Sequence, residues 1–199
     1  RPLIGTIYMA AKGRGLDPVV IKEDYTLAVA FLAGGALLSA LGSALLGLPG
    51  ALPGTLVLAL GVLFTVQAGR VRFVCDTDAF ELKTAARALP GDDDALEGLQ
   101  SSGENIVVGG ANRWAYSSFV NYAFFPTGWL EKGFPPILVY FKETQTPKGE
   151  WEVGPGKMAN SEEALAKGAK PGQVHFFPAL CDTRQLAEEW RKRGVPKLD

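Results

Sequence analysis

The feature that most constrains this chain is one long segment without charge. From Thr26 to Gly69 the sequence contains no aspartate, glutamate, lysine or arginine. Charged residues dominate the surfaces of water-soluble domains, so a segment of this length is hard to place in one. A membrane-spanning helix needs about 20 consecutive apolar residues. The sequence therefore predicts an integral membrane protein with a two-helix transmembrane hairpin over residues 25–69.

The middle of this segment predicts the turn of the hairpin. Residues 48–54 contain two prolines and two glycines, which interrupt a helical hydrogen-bond ladder and favour chain reversal. We predict a first helix over about residues 19–47 and a second over about residues 55–69. Asp17 followed by Pro18 resembles an N-cap with proline at the first helical position.

A row of small residues marks one face of the first predicted helix. Gly35, Ser39, Ser43 and Gly47 recur every four residues, and small faces let membrane helices approach closely. The second helix offers larger groups, namely Leu56, Leu58, Leu60, Leu63 and Phe64. These groups could pack on the small face within the hairpin or contact another membrane protein.

Basic residues flank the predicted spans and indicate an orientation. Lys12, Arg14 and Lys22 precede the first helix, and Arg70 and Arg72 follow the second. Loops rich in lysine and arginine stay on the cytoplasmic side of a membrane. We therefore expect both termini on the cytoplasmic-type side. Residues 1–25 lack the apolar core of a secretory signal, and we expect that any targeting peptide has already been removed.

The overall charge and the cysteine content exclude several classes of protein. The chain has 20 basic and 21 acidic residues and a net charge of -1, so no basic field attracts nucleic acid. Cys75 and Cys181 are too few for a zinc site or a disulfide scaffold. They could be two buried thiols or form a single bridge.

The remainder of the chain reads as a β-rich soluble domain. Alternating, β-branched and aromatic segments predict strands near residues 70–75, 80–83, 105–108, 113–117, 119–125, 137–142 and 173–177. A polar loop is expected over residues 87–103 and another over 150–170. A helix capped by Asp182 or Thr183 should run to Arg193, with Gly194 as its stop.

Strands followed by one amphipathic helix match the pleckstrin-homology-like (PH-like) plan, a bent sheet or barrel plugged by its last helix. The predicted fold class is an α+β membrane protein, in which a transmembrane hairpin precedes a PH-like domain. The predicted organisation is an N-terminal segment over residues 1–24, the hairpin over 25–69 and the PH-like domain over 70–199.

Several segments also resemble a known family. They are residues 103–110 (GENIVVGG), 112–114 (NRW), 119–121 (FVN), 138–145 (LVYFKETQ) and 173–178 (QVHFFP). They are similar to a cyanobacterial and plastid family of unassigned function whose members carry a membrane hairpin before a PH-like domain. The resemblance implies a chloroplast thylakoid membrane location with the soluble domain and both termini in the stroma. It also implies a relation to photosystem assembly and repair factors, and it supplies no catalytic residue.

No motif in the sequence predicts catalysis, a cofactor or a metal. His175 is the only histidine, and it lies in a predicted strand without a cysteine or serine partner pattern. The acidic run at 92–94 lacks the alternating spacing and the glycine of a calcium loop. The glycine pairs at 109–110 and 154–156 lack the lysine of a phosphate-binding loop. We therefore expect a protein that is not an enzyme.

An aromatic cluster is the most informative candidate site. Tyr122 and Phe124 alternate toward the predicted core. The candidate partner-binding residues are Trp114, Phe125, Trp129, Leu130 and Phe134. Exposed aromatic groups on a loop suit a protein partner or a membrane interface, although packing in the core would also explain the cluster.

These expectations lead to two hypotheses from different classes. The first is an auxiliary factor that binds photosystem core subunits, with photosystem II favoured, during assembly or repair. Biogenesis of another thylakoid complex is its variant. The second is a surface module that binds a membrane lipid or a pigment such as chlorophyll, for which the aromatic groups would line a pocket.

Overall fold

A computed structural model describes residues 15–85, 98–103, 112–152 and 154–198 of the chain. Four predicted features lie outside the described residues. They are the strand at 105–108, the acidic run at 92–94, the glycine pair at 109–110 and the flanking residues Lys12 and Arg14.

Two long apolar helices form an antiparallel hairpin. Helix α1 spans Thr26–Leu46 and helix α2 spans Leu52–Arg70, and a short 3-10 turn over Leu48–Ala51 joins them. Both helices are long and apolar enough to cross a membrane, judged by length and composition. Helix α2 begins earlier than predicted because Pro53 occupies its first turn, where the missing amide hydrogen of proline costs no hydrogen bond.

The first helix begins later than predicted, and this corrects its expected start. Residues Val19–Ile21 form strand β1, which pairs antiparallel with strand β2, Val71–Cys75. Asp17 is no helix cap, since the residues that follow it form strand β1, and its carbonyl accepts a 2.8 Å hydrogen bond from the Arg193 guanidinium. β-branched residues favour the extended conformation, and pairing with β2 satisfies their backbone. The hairpin therefore leaves from and returns to one sheet.

The two helices of the hairpin are in direct backbone contact. A Cβ atom added to Gly54 would lie 2.1 Å from the Ser39 nitrogen, and one on Gly42 would lie 1.9 Å from the Gly50 oxygen. On Gly35 it would lie 2.4 Å from the backbone nitrogen of Leu58. Distances this short leave no room for a side chain, so glycine is required at these crossings.

Two of the four residues in the predicted row, Gly35 and Ser39, lie in the contact between the helices. Gly35 is buried in the interface, and the Ser39 hydroxyl donates to the Ala51 carbonyl at 3.2 Å. The interface then continues at Gly42 instead of Ser43, and Gly47 ends α1 with a φ of 71°. A step of four residues overshoots a turn of 3.6 residues by about 40°, so a row of that spacing drifts off the contact face.

The second helix contributes small residues where leucines were expected. Gly54 and Gly61 are buried in α2, whereas Leu56, Leu60 and Leu63 are exposed. At Gly61 the missing side chain leaves space for Leu32 of α1, whose Cγ would lie 2.9 Å from an added Cβ. Of the two alternatives for the large residues, packing within the hairpin holds for Phe64, whose ring centroid lies 5.0 Å from that of Phe31, and not for the three exposed leucines.

The remaining strands form two antiparallel sheets. The first sheet has the order β1-β2-β3-β4, with β5 also paired to β3. Its further strands are β3 over Ala79–Ala85, β4 over Leu99–Ser101 and β5 over Arg113–Ala115. The second sheet has the order β6-β7-β8, with β6 over Phe119–Phe125, β7 over Leu138–Glu143 and β8 over Gln173–Pro178. The strands predicted in the described segments are confirmed, and β1 and β4 were missed.

Three helices complete the fold. The short helices α3, Gly156–Ala159, and α4, Glu162–Ala166, occupy the segment predicted as a polar loop. The C-terminal helix α5 spans Thr183–Lys192, and the Asp182 carboxylate accepts from the first amides, as predicted. The observed architecture is thus α+β, with an apolar hairpin and antiparallel sheets.

The core lies between the sheets and α5. Trp190 of α5 is fully buried, and its ring contacts those of Phe80, Tyr122 and Phe124 at 4.9 to 6.1 Å between centroids. Tyr122 and Phe124 are thus core residues, as the alternation predicted. Cys75 and Cys181 are free and buried, which decides between the two alternatives for this pair. Burial raises the pKa of Cys75 to about 12.

Candidate interaction surface at the base of the hairpin

The two sheets and helices α3 to α5 together form what we call the folded unit. Backbone hydrogen bonds fix the hairpin to one end of it. The Asp24 amide donates to the Leu180 carbonyl at 3.1 Å, and the Asp182 amide donates to the Lys22 carbonyl at 2.7 Å. Leu180 also packs against Leu27 and other apolar residues at the base of the helices. The connection between β8 and α5 is therefore held directly beside the start of α1.

The Arg72 side chain strengthens the same joint. This residue is buried, and its guanidinium donates to the Ala68 carbonyl in the last turn of α2 at 3.1 Å. It also lies 3.8 Å from the carboxylate of Glu23. A cation at the C-terminal end of a helix is favourable, because carbonyl groups there carry partial negative charge. Arg72 thus links α2, β2 and the residues before α1.

The strand register shows which end of the second sheet lies near the hairpin. Phe125 pairs with Leu138, and Leu138 pairs with Pro178. Pro178 immediately precedes the segment that carries Leu180. We call this end of the sheet the hairpin-proximal end. The loop over residues 126–136 connects Phe125 to the next strand and therefore lies at this end; we call it the aromatic loop.

The aromatic loop is ordered by its own hydrogen bonds. The Phe134 amide donates to the Trp129 carbonyl at 2.9 Å, and the Gly133 amide donates to the Leu130 carbonyl at 3.2 Å. The φ angle of Gly133 is 85°, in a region that disfavours other residues. Leu130 packs against the main core. The loop therefore holds its exposed side chains in place without a partner.

Two aromatic rings project together from this loop. Trp129 is 37% exposed and Phe134 is 57% exposed, and their ring centroids lie 6.0 Å apart. Apolar groups that are exposed singly are ordinary, whereas adjacent ones mark an interaction surface. The pair forms the most prominent apolar feature of the hairpin-proximal end.

Further apolar groups are exposed on or beside the outer face of the second sheet. Phe176 is exposed, and its ring lies 5.1 Å from that of Tyr140 and 6.2 Å from that of Phe125. Ile137, the residue before β7, is also exposed. Sequence reasoning missed Phe176 and Ile137. The strand alternation could have found Phe176, because its neighbours His175 and Phe177 face the core side.

A small cavity lies between the aromatic loop and the hairpin. Its volume is about 290 Å³. The residues that line it include Thr26, Leu130, Phe134, Asp182 and Arg184. Its walls belong to the start of α1, to the loop and to the start of α5. A group that enters this cavity would therefore touch both the folded unit and the hairpin.

The structure separates the five predicted partner-binding residues. Trp129 and Phe134 are exposed side by side, while Phe125 and Leu130 are half-buried next to them. Trp114 is buried in the core, 5.0 Å from the Phe141 ring between centroids. The prediction that Trp114 binds a partner is therefore wrong. Its place on β5, opposite Phe80 of β3, turns the side chain inward.

The buried pair of His175 and Glu143 is structural. His175 Nε2 lies 2.9 Å from Glu143 Oε1, and the Thr146 hydroxyl donates to the same oxygen at 2.6 Å. Burial by itself raises the pKa of Glu143, but the hydrogen bonds from His175 and Thr146 outweigh it and lower the pKa. The carboxylate is thus occupied by groups of its own fold, and His175 is a core histidine as predicted.

Among the described residues, no group of three histidine, cysteine, aspartate or glutamate side chains could hold a metal ion.

Comparison with known proteins adds one finding. A family model described as a protein of unknown function, DUF3119, matches residues 19–194. No curated protein and no solved structure matches the chain. The matched range begins with the first residue of β1 and ends just after α5, so it includes the hairpin and both sheets.

Proposed function

The chain belongs to the DUF3119 family of proteins of unknown function, and from this premise we propose that it is a membrane-anchored docking factor without catalytic activity. In this proposal the hairpin crosses the thylakoid membrane, and a PH-like folded unit lies in the stroma with both termini. The docking partner is a photosynthetic membrane complex during assembly or repair. Photosystem II core subunits are favoured, as the resemblance to thylakoid factors implies.

The observation that carries the proposal is the position of Trp129 and Phe134. Both rings are exposed on an ordered loop, and Phe134 lines a cavity with Thr26, the first residue of α1. A membrane protein beside the hairpin would meet these rings at the level of the bilayer surface. Exposed aromatic residues dominate the binding energy of many interfaces. Their rigidity before binding also lowers the entropic cost of association.

The exposed surface of the hairpin supports the membrane anchor. Leu45 is 79% exposed, and Leu52 and Leu56 are similarly exposed. Exposed apolar area costs about 25 cal/mol per Å² in water, so a surface of this kind favours hydrocarbon. The buried glycines lie in the contact between α1 and α2. Large aliphatic groups therefore remain on the outside, where they can contact lipid or a partner helix.

Extraction of native membranes tests the anchor. We expect the chain to stay in the pellet after alkaline carbonate treatment and to leave it only in detergent. Release into the carbonate supernatant would contradict the membrane part of the proposal. A protease added to the stromal side should cleave the folded unit, and protection from that protease would contradict the orientation.

Affinity purification tests the docking partner. Tagged protein from solubilised thylakoids should enrich photosystem II core subunits. The double variant Trp129→Ala and Phe134→Ala should lose about 2 kcal/mol of binding free energy, or roughly 30-fold in affinity. The matched control is the double variant Met158→Ala and Leu165→Ala, which removes exposed apolar groups from α3 and α4. Equal enrichment by both double variants would refute the role of the aromatic loop.

The identity of the enriched subunits separates the variants of the proposal. Enrichment of photosystem I or cytochrome complex subunits alone would assign the chain to biogenesis of another thylakoid complex. Absence of every photosynthetic subunit from the wild-type sample would contradict the docking function.

A second candidate function is the binding of a membrane lipid or pigment such as chlorophyll at the hairpin-proximal end. The cavity of about 290 Å³ beside Thr26 and Phe134 lies just below the roughly 300–1,000 Å³ of ligand pockets, so it favours part of a lipid over a whole pigment. Mass spectrometry of lipids and pigments that co-purify with the wild type and with the Phe134→Ala variant tests this candidate. A species held by the cavity should be depleted in the variant, and an unchanged profile would exclude it.

A further inference from the structure

A second and larger cavity lies on the outer face of the second sheet. Its volume is about 740 Å³, within the range of roughly 300–1,000 Å³ that is typical of ligand pockets. We call it the lysine groove. The residues that characterise its lining are Lys142, Lys167, Lys170, Lys197, Tyr140 and Leu198.

The lysine groove is distinct from the surface at the base of the hairpin. Lys142 lies on β7, and Leu138 marks the hairpin-proximal end of the same strand. Four residues of a β-strand span about 13 Å. The walls also come from different elements, since the groove uses α4, the segment that follows it, and the C-terminal residues 196–198.

The charge of the lining is one-sided. Four lysines line the groove, and no aspartate or glutamate does so among the described residues. The whole chain carries a net charge of -1, so this concentration of positive charge is local. A concave surface of one charge sign concentrates ions of the opposite sign. The electrostatic complement of the groove is therefore an anion.

Lys142 lies at the base of this charge. It is only 3% exposed, and its ammonium group donates to the carbonyls of Lys170 at 2.8 Å and Ala159 at 3.1 Å. These partners are neutral, and within the described residues no carboxylate pairs with Lys142. Burial lowers the pKa of Lys142. A buried charge without a counter-charge is unfavourable, and an anion in the groove would offset that cost.

The lysines at the rim are available to such an anion. Lys167 pairs with Glu163 at 2.6 Å, but both side chains are more than two-thirds exposed. Lys197 pairs with the exposed Glu131. Exposed ion pairs of this kind are weak, so both lysines can exchange their partners for a bound ligand.

The other lining residues are apolar or lack a partner. Val120, Tyr140 and Leu198 line the groove together with several alanines. Asn121 also lines it, and its buried side-chain oxygen has no hydrogen-bond partner among the described residues. Polar atoms that are buried in this way usually have a partner. A ligand with an apolar body and an anionic end would use the apolar residues and the lysines, whereas the Asn121 oxygen is an acceptor and would not bind the anionic end.

We infer that the lysine groove binds a small amphiphilic anion, a molecule with a short acyl or aromatic body that ends in a carboxylate or a phosphate. The apolar body lies along Tyr140 and Leu198, and the anionic end lies among the lysines. This site is additional to the docking function, and the aromatic loop contributes no lining residue to it, although Glu131 of that loop pairs with Lys197. A free fatty acid and a phosphorylated lipid fragment share the required chemistry.

Photo-crosslinking on the full chain tests the inference. The chain is placed in nanodiscs of neutral phosphatidylcholine, and the probe is a decanoate that carries a diazirine on its acyl chain. Mass spectrometry then maps the labelled peptides. We expect label in the segments around Val120, Tyr140 and Leu198. The methyl ester of the probe, which lacks the charge, should label these segments about tenfold less.

Two variants with the same change of net charge provide the control. The double variant Lys167→Gln and Lys170→Gln should reduce groove labelling by about tenfold. The double variant Lys148→Gln and Lys157→Gln removes two lysines that are exposed outside the groove and should label like the wild type. Equal labelling of the two double variants, or label confined to α1 and α2, would overturn the inference.

Competition distinguishes the two sources of the anion and tests the need for an apolar body. Excess decanoate and excess decyl phosphate should both displace the probe, and the stronger competitor identifies the preferred headgroup. Inorganic phosphate at the same concentration should not displace it. Displacement by inorganic phosphate alone would show an anion site without an apolar part and would overturn the amphiphile assignment.

Discussion

The hairpin and the folded unit are built by opposite rules of packing. In the hairpin, glycines such as Gly54 meet backbone atoms of the other helix, and large leucines face outward. In the folded unit, large rings such as Trp190 fill the interior, and most exposed groups are polar. The difference agrees with the proposed membrane anchor, because a hydrocarbon surrounding would give apolar side chains no reason to turn inward.

This contrast explains how each region tolerates a change in volume. A core filled by large rings is damaged when a ring is removed, because a cavity remains. A helix pair in backbone contact is damaged when an atom is added, because the helices must move apart. The first two of the four predictions below test this contrast, and the other two measure polar contacts within the folded unit, in order of decreasing expected effect.

Removal of the central ring should have the largest effect. Trp190→Ala should lower the free energy of unfolding of the folded unit by about 3–5 kcal/mol. All four tryptophans of the chain lie in the folded unit, so a urea titration followed by tryptophan fluorescence reports on this region alone. Met158→Ala, a change at a side chain that is 80% exposed, should shift stability by less than about 0.5 kcal/mol. Similar losses in both variants would break the contrast.

Addition of one methyl group should damage the hairpin. Gly54→Ala places a Cβ atom 2.1 Å from the Ser39 nitrogen, and such overpacking costs about 1–3 kcal/mol. Circular dichroism during a dodecyl sulfate titration of the micelle-bound chain measures this loss. The control is Gly34→Ala, where the added Cβ meets no atom within 4 Å and helix propensity improves by about 1 kcal/mol. Equal behaviour of both variants would disprove close packing at Gly54.

Loss of a buried polar contact should lower the free energy of unfolding by an amount similar to or smaller than the cost of Gly54→Ala. This loss should depend on pH. Thr146→Val removes the hydroxyl that donates to Glu143, which costs about 1–3 kcal/mol near neutral pH. Thr144→Val, which loses a more exposed bond to the Ser118 carbonyl, is the control and should cost less. Chemical denaturation over a pH series measures both.

The sign of the pH dependence follows from Glu143. Its pKa in the folded state lies below the ordinary value of 4.5, so the ionised form stabilises the fold at higher pH. This contribution is lost as the pH falls below 4.5 toward the folded-state pKa. The cost of Thr146→Val should therefore shrink on acidification. A cost that stays constant from neutral to acid pH would contradict the proposed bond to a carboxylate.

The smallest effect is expected at an exposed ion pair of the folded unit. Glu163→Gln breaks the pair with Lys167 on α4 and should change the free energy of unfolding by less than about 0.5 kcal/mol. Urea titrations at low and high salt measure this, and the small difference should vanish at high salt. A loss above about 1 kcal/mol would mean that this surface pair is unusually important.

Local patterns predicted much of the fold correctly. The strand over Phe119–Phe125 and the helix capped by Asp182 were found where the alternation and the capping residue placed them. Strand β1 was missed because three residues give too short a pattern, and their partner β2 lies beyond the hairpin. The predicted row of small residues named Ser43, whereas the helices meet at Gly42, because a spacing of four residues departs from the helical period of about 3.6.

The candidate surface was predicted only in part. Trp129 and Phe134 were expected on a loop, and their sequence context of proline and glycine supports that prediction. Trp114 was assigned to the same surface, since nothing local distinguishes a buried tryptophan from an exposed one. The lysine groove was not predicted, because its lysines come from β7, from the segment after α4 and from the C-terminal residues.

The sequence by itself determined that the uncharged segment forms two apolar helices, and that strands and a final capped helix follow them. These properties depend on charge, periodicity and capping, and each of these is set by residues that are close together in the sequence. Only the tertiary structure decided which glycines meet across the hairpin, which aromatic rings stay exposed and where lysines converge. These outcomes depend on contacts between residues distant in the chain, and the register and packing that create such contacts are set by the whole fold.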